Sequence, residues 1–196
     1  MATGVIRVVG VMAALAFLLL AVPLEHVDEL RTVDLSTVAP LGAKVEAAQS
    51  SACDANPKAA NLNFVLKDSS GKDFNLASLK GKVIVLDFWA TWCPPCKVEI
   101  PWFVEFQQKY GPKGLIVVGV SVDDPAAALA PFGEKFKVNY PLLVGDGRDD
   151  IKGPRGYNAA WGLPKTFVIG RDGRICKTHI GLSVKEHFDQ QIKSLL

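Results

Sequence analysis

The run Val83-Ile-Val-Leu-Asp-Phe-Trp89 leads, through Ala90-Thr91-Trp92, directly into Cys93-Pro94-Pro95-Cys96. A β-branched and aromatic run of this length, bounded by Lys80-Gly81-Lys82, predicts a strand buried on both faces. Pro94 suits the first turn of a helix, where no backbone N–H is needed. Two cysteines three apart therefore open a helix at the carboxyl end of a buried strand, which is where α/β sheets hold their sites. Placed there, they can close a small disulfide ring. The first faces the positive end of the helix dipole and unpaired N–H groups, which favour thiolate over thiol. Cys93 is the expected nucleophile and Cys96, one turn inward, the resolving thiol. A structural zinc knuckle would need a second pair of ligands, and Cys53, Cys176 and the three histidines show no such spacing. No metal and no cofactor is assigned.

The flanking segments supply the rest of a layered domain. Asn63–Lys67 and Lys72–Leu76 around Asp68-Ser-Ser-Gly71 predict a hairpin. A helix is expected from Pro94 to Tyr110, stopped by Gly111-Pro112, then a buried strand over Leu115–Val122. Pro125–Lys137 reads as a helix capped by Asp123 or Asp124. Tyr140–Val144 is a strand, and Gly145–Trp161 an irregular stretch with room for a short helix. Thr166–Gly170 and Arg174–Ile180 form a closing hairpin across Arg171-Asp-Gly173. Ser183, with Glu186 three residues on, has the spacing of a capping box for a last helix to Leu196. The order, hairpin then βαβαβ then ββα, implies an α/β sheet with helices on both faces.

The segment from Val85 to Pro101, with Trp-Cys-Pro-Pro-Cys at its centre, resembles the active-site strand and helix of the thioredoxin superfamily. Pro-Pro between the cysteines is similar to the TlpA/ResA/CcmG-like branch. The resemblance runs from about Asn61 to Leu196. It implies a thioredoxin-like α/β fold, with a central mixed β-sheet flanked by helices, an N-terminal β-hairpin and a central insertion between Cys96 and Pro164. Gly162-Leu163-Pro164 stands where the family carries a cis-proline facing the disulfide, and Pro101 where its active-site helix bends. The implied activity is that of a thiol:disulfide oxidoreductase. Substrates would dock on Trp92, Pro94, Pro95, Leu163 and Pro164. Asp87 matches the buried acid of thioredoxins, where this branch more often has Asn, and Glu99 an acid of the ResA-like group. Either carboxyl, if buried, gains a raised pKa and can take the proton released when Cys96 becomes nucleophilic. For Glu99 a solvated helix face is the equally weighted reading. No His or Arg lies between the cysteines to stabilise the thiolate, so a reductant is expected.

Two other readings share these residues. A copper-binding metallochaperone would use the thiols as soft ligands, with His179 as a candidate third, but copper-chaperone relatives space their cysteines by three residues. A peroxiredoxin-like peroxidase needs Thr or Ser three before its Cys and Pro seven before, where Cys93 has Ala90 and Leu86. Cys53 and Cys176 are either a structural disulfide or, respectively, a solvent thiol and a buried inert one. Trp89 is expected in the core, and Trp161 fits core or surface.

The N-terminal part obeys different rules. Val8 to Leu24 is a run of 17 residues without a charge, about 25 Å as a helix, enough for a bilayer core. It accounts for a mean hydropathy of +0.20, high for a soluble globule. The first Val-x-Ala cleavage candidate, Val45–Ala47, lies too far behind it for a signal peptide. Residues 1–24 are therefore read as a single uncleaved signal anchor and transmembrane helix, 25–60 as a flexible tether, and 61–196 as the folded domain. A short head stays in the cytoplasm and the remainder faces the periplasm or cell exterior, at a bacterial inner membrane. A net charge of +2, without a basic stripe, argues against nucleic acid. The expected partners are disulfide-containing exported proteins, either apocytochrome c or copper-site proteins of oxidases, and a membrane thiol-reductant donor. The domain is expected to act as a monomer.

Overall fold

A computed structural model describes residues 53–159 and 161–196. The anchor read at residues 1–24 and the tether as far as residue 52 lie outside the described residues. The predicted hairpin is present as β1 (Val65–Lys67) and β2 (Asp73–Asn75), paired antiparallel. Its turn is written in two residues. Asp68 Oδ1 accepts from the N–H of Ser70 and of Lys72 and from the Ser70 hydroxyl, and Gly71 takes a φ of +83°, which favours glycine. The second arm is shorter than expected because Leu76–Leu79 winds into a 3-10 turn, capped by the Asn75 side chain.

The main body follows as β3 (Val83–Trp89), α1 (Pro94–Tyr110), β4 (Leu115–Ser121), α2 (Ala126–Phe136), β5 (Leu142–Val144), α3 (Asp149–Lys152), β6 (Lys165–Ile169), β7 (Ile175–Ile180) and α4 (Lys185–Leu195). The five strands lie in the order β5-β4-β3-β6-β7. The first three are parallel, and β6 and β7 run antiparallel to their neighbours. This is a mixed sheet with β3 at its centre, every residue of which is buried. Its side chains divide between two faces. Phe88 packs on Tyr157 and Phe167 at 5.3 and 6.0 Å between ring centres. Trp89, on the other face, lies 4.5 Å from Phe132 of α2. Helix α4 packs on α1 through an edge-on contact of Phe103 and Phe188.

Three expectations are corrected. Helix α2 starts at Ala126 behind Pro125, so neither Asp123 nor Asp124 caps it. Helix α4 starts at Lys185, with Val184 rather than Ser183 at the cap and no side-chain cap bond. In each case the polar side chain is engaged elsewhere, as described below. Residues 54–60, read as the end of the tether, lie along β7 instead: Asp54 N–H donates to Cys176 O, Ile175 N–H to Lys58 O, and Ala60 N–H to Gly173 O. The sulfurs of Cys53 and Cys176 are joined in a disulfide, and Cys176 is fully buried. Among the described residues no helix is long and apolar enough to cross a membrane.

Candidate active site

Cys93 occupies the N-cap of α1 with extended backbone, φ −82° and ψ 107°. Pro94 and Pro95 fill the first two helical positions and carry no N–H. The first donor of the helix is therefore Cys96 N–H, and it points at Cys93 Sγ, 3.3 Å away. This is the environment that stabilises a thiolate at the first cysteine. Cys93 and Cys96 form the second disulfide. Both are buried in this oxidised state, at 2% and 0% exposure. Pro101 lies inside α1, which continues through it to Tyr110.

The antiparallel pairing of β6 with β3 brings a second loop to the same place. Lys165 stands opposite Phe88, so Leu163-Pro164 falls beside the end of β3 from which Cys93 follows. The Leu163–Pro164 peptide is cis. Pro164 is buried and its carbonyl accepts from Gly181 N–H at 2.8 Å, while Leu163 is half-buried. Several apolar side chains on the segments that flank the cysteines, Leu163-Pro164 and the end of β7 are left exposed: Trp92, Val98, Trp161, Ile180, Leu182 and Val184. Trp92, at 59% exposure, is fixed rather than free, since its indole N–H donates to Asp123 at 3.0 Å. Trp161, at 83% exposure, is surface and not core.

The two acids, Asp87 on β3 and Glu99 one turn after Cys96 on α1, are both 1% exposed. Asp87 accepts a bond from the Thr166 hydroxyl at 3.0 Å. Burial pushes its pKa well above the usual carboxylate range; the charge of Glu99 adds to this and the Thr166 bond opposes it. Glu99 is not on a solvated helix face. Its Oε1 accepts from Ser183 N–H at 2.7 Å, and its Oε2 is buried with no partner. Burial raises its pKa to about 7, against the lowering effect of the Ser183 N–H.

Sequence reasoning missed the groups that hold this arrangement. Asp124 accepts from Thr91 N–H at 2.7 Å, the Thr91 hydroxyl at 2.5 Å and the Ser121 hydroxyl at 2.6 Å. One carboxylate thus ties the β3–α1 loop to the end of β4. A Thr just before a Trp-Cys and an Asp after a buried strand gave no local sign of this. His179 is likewise engaged at both ring nitrogens, with Gln191 Oε1 at 2.8 Å and Ser183 Oγ at 3.2 Å. Among the described residues no cluster of three or more His, Cys, Asp or Glu could hold a metal ion.

The sequence profile of the AhpC/TSA family matches residues 57–178. The chain belongs to that family. Within it, the chain is 33% identical over 133 residues to the thiol-disulfide oxidoreductase ResA of Bacillus anthracis, which covers 68% of this chain and 75% of the relative. The crystal structure of a thioredoxin-family thiol:disulfide interchange protein from Chlorobium tepidum superposes with a TM-score of 0.64 at 33% identity, covering 72% of this chain and 98% of the other. A secreted Mycobacterium tuberculosis disulfide oxidoreductase homologous to DsbE of E. coli gives 0.60 at 26% identity, covering 68% and 97%. This family member is a thiol-disulfide oxidoreductase with a thioredoxin-like fold. Its substrates are disulfide-containing.

Proposed function

We propose that this domain reduces disulfides in exported proteins, held at the outer side of a bacterial inner membrane by residues 1–24. The observation that carries the direction of electron flow is the pair of buried carboxyls, Asp87 and Glu99, together with an N-cap cysteine and no basic side chain between the thiols. A buried site whose own acids resist ionisation, with no cation between the thiols, disfavours the thiolate, and a less stable reduced form makes the better reductant. Cys93 thiolate attacks one sulfur of the substrate disulfide, and the other leaves as a thiolate that takes a proton from water. The mixed disulfide rests against Trp92, Pro94, Pro95, Leu163 and Pro164, where an extended chain fits beside the cis-proline loop. Cys96 gives its proton to the buried acid pair and attacks Cys93 Sγ, and the second substrate sulfur leaves as a thiolate that takes a proton from water. Two electrons have passed to the substrate, and the Cys93–Cys96 disulfide must then be reduced by a membrane thiol donor.

The Cys53–Cys176 disulfide supports the outward placement, because such a bond persists in an oxidising compartment. The clients best matched to this chemistry are the haem-site cysteines of apocytochrome c or the copper-site cysteines of oxidases, both of which must be reduced before they bind their cofactor. Cys96→Ser tests the reading directly, because it blocks release. Full-length protein carrying it accumulates mixed disulfides with its clients in cells, cleaved by reductant; absence of adducts overturns the order of attack. A reduction potential of the Cys93–Cys96 couple above about −160 mV overturns the reductive direction.

A further inference from the structure

Glu99 owes its geometry to the loop that follows β7. Ser183 N–H donates to Glu99 Oε1 at 2.7 Å, and the same residue's hydroxyl lies 3.2 Å from His179 Nδ1. His179 Nε2 lies 2.8 Å from Gln191 Oε1 on α4. An amide oxygen only accepts, so Nε2 carries the ring proton and Nδ1 is left as the acceptor for the Ser183 hydroxyl. The ring itself is wedged against Phe188, 4.5 Å between centres. Ser183 does not cap α4, and no side chain does. A loop residue that gives up a cap and has both its N–H and its hydroxyl directed inward is held for another purpose.

We propose that Ser183, His179 and Gln191 are positioning residues for Glu99: their hydrogen-bonded line fixes Ser183 N–H on Oε1 and so reserves the unpartnered Oε2 to receive the proton of Cys96. This rests on the reading of Glu99 as proton acceptor. A buried carboxyl with two equivalent free oxygens would rotate and take its proton on either; one oxygen pinned by an amide takes it on the other. The line also sets how readily Glu99 ionises, since the Ser183 N–H is the one group that favours its charged form against burial. Other charged or titratable groups bear on the line from every side: Asp87 of β3 on Glu99, and His187 of α4, Lys177 of β7 and Asp54 on His179. Burial, the leading effect, depresses the His179 pKa and keeps the ring neutral, as the acceptor role requires.

The test is the pH profile of oxidised-glutathione reduction by full-length, pre-reduced protein. The unaltered chain shows a limb near the Glu99 value of about 7, and Glu99→Gln removes it. Ser183→Ala and His179→Ala move the midpoint of that limb up by about one pH unit, the scale of a lost hydrogen bond to a carboxylate. Ser183→Thr and His179→Asn, which keep the hydroxyl and an acceptor in place of Nδ1, hold it where it was. His187→Ala removes a nearby exposed imidazole and leaves it unmoved. If Glu99→Gln keeps the limb, the proton-acceptor reading fails and this proposal with it. If Glu99→Gln removes the limb but the Ser183 and His179 variants do not shift it, or His187→Ala shifts it equally, only the positioning line is overturned. Ser183→Thr keeps the comparison valid even where an alanine variant is poorly folded.

Discussion

At Asp87 and Glu99 stability and chemistry pull in opposite directions. Each carboxyl has a folded-state pKa raised by burial, so the folded protein binds protons more tightly than the unfolded chain. Where the unfolded chain has lost its proton and the folded one has not, stability falls as pH rises. For Glu99 the window runs from the ordinary value of 4.5 to about 7. Above it the penalty is fully present, and below it absent. Glu99→Gln is therefore expected to raise stability of the oxidised protein by about 1–2 kcal/mol at pH 8 and to leave it nearly unchanged at pH 4. Asp87→Asn acts in the same sense, because burial first and repulsion from Glu99 second raise the Asp87 pKa. Both variants should slow substrate reduction at least tenfold where proton transfer from Cys96 limits the cycle. Urea unfolding midpoints at the two pH values, set beside turnover, check this; a variant that loses stability at pH 8 contradicts it.

Between elements, the decisive joint is Asp124. It holds the β3–α1 loop by two bonds to Thr91 and the end of β4 by one to Ser121, and it is buried. Asp124→Ala leaves three donors without their acceptor, a loss of about 2–3 kcal/mol. It also loosens the segment that carries Trp92 and Cys93, so turnover is expected to fall while the Cys93–Cys96 disulfide still forms; thermal unfolding and a thiol titration separate the two effects. The same joint shows what a sequence reveals at this scale. The bounds of β3 and α1 were legible, Val83–Trp89 and Pro94–Tyr110, because an apolar run and a Pro-opened helix are local facts. The caps at Asp124 and Ser183 are not legible because a capping spacing is local, whereas the Asp124 carboxylate is taken by Thr91, 33 residues away, and the Ser183 hydroxyl turns back to His179 while its N–H reaches Glu99, 84 residues away. The burial of Glu99 was undecidable for the same reason, since it depends on the loop after β7 closing over α1.

For the whole molecule, the Cys53–Cys176 bond decides where the folded domain ends and the chain before it begins. Cys176 lies four residues before Ile180 on β7, about 13 Å of strand, and Ile180 stands opposite Lys165, next to Pro164. The chain is thus fastened on the half of β7 remote from the site. The edge of β7 there is covered by residues 54–60, so the bond also protects a sheet edge that would otherwise be open to pairing with another chain. Cysteines at 53 and 176 were visible in the sequence, but their pairing rests on the path of residues 54–60, which have no hydrophobic period to announce it. The bond closes a loop of 123 residues, and a disulfide typically stabilises a domain by about 2–4 kcal/mol, with long loops at the upper end, mainly by restricting the unfolded chain. Cys53→Ser combined with Cys176→Ser should therefore lower the denaturation midpoint substantially while leaving the Cys93–Cys96 potential unchanged, because the bond sits on the half of β7 remote from Pro164 and the Cys93 loop. Denaturant titration of the oxidised double variant gives the first quantity and redox equilibration with glutathione the second. A shifted potential at unchanged stability would mean that the bond tunes the site instead of anchoring the segment that leads to it.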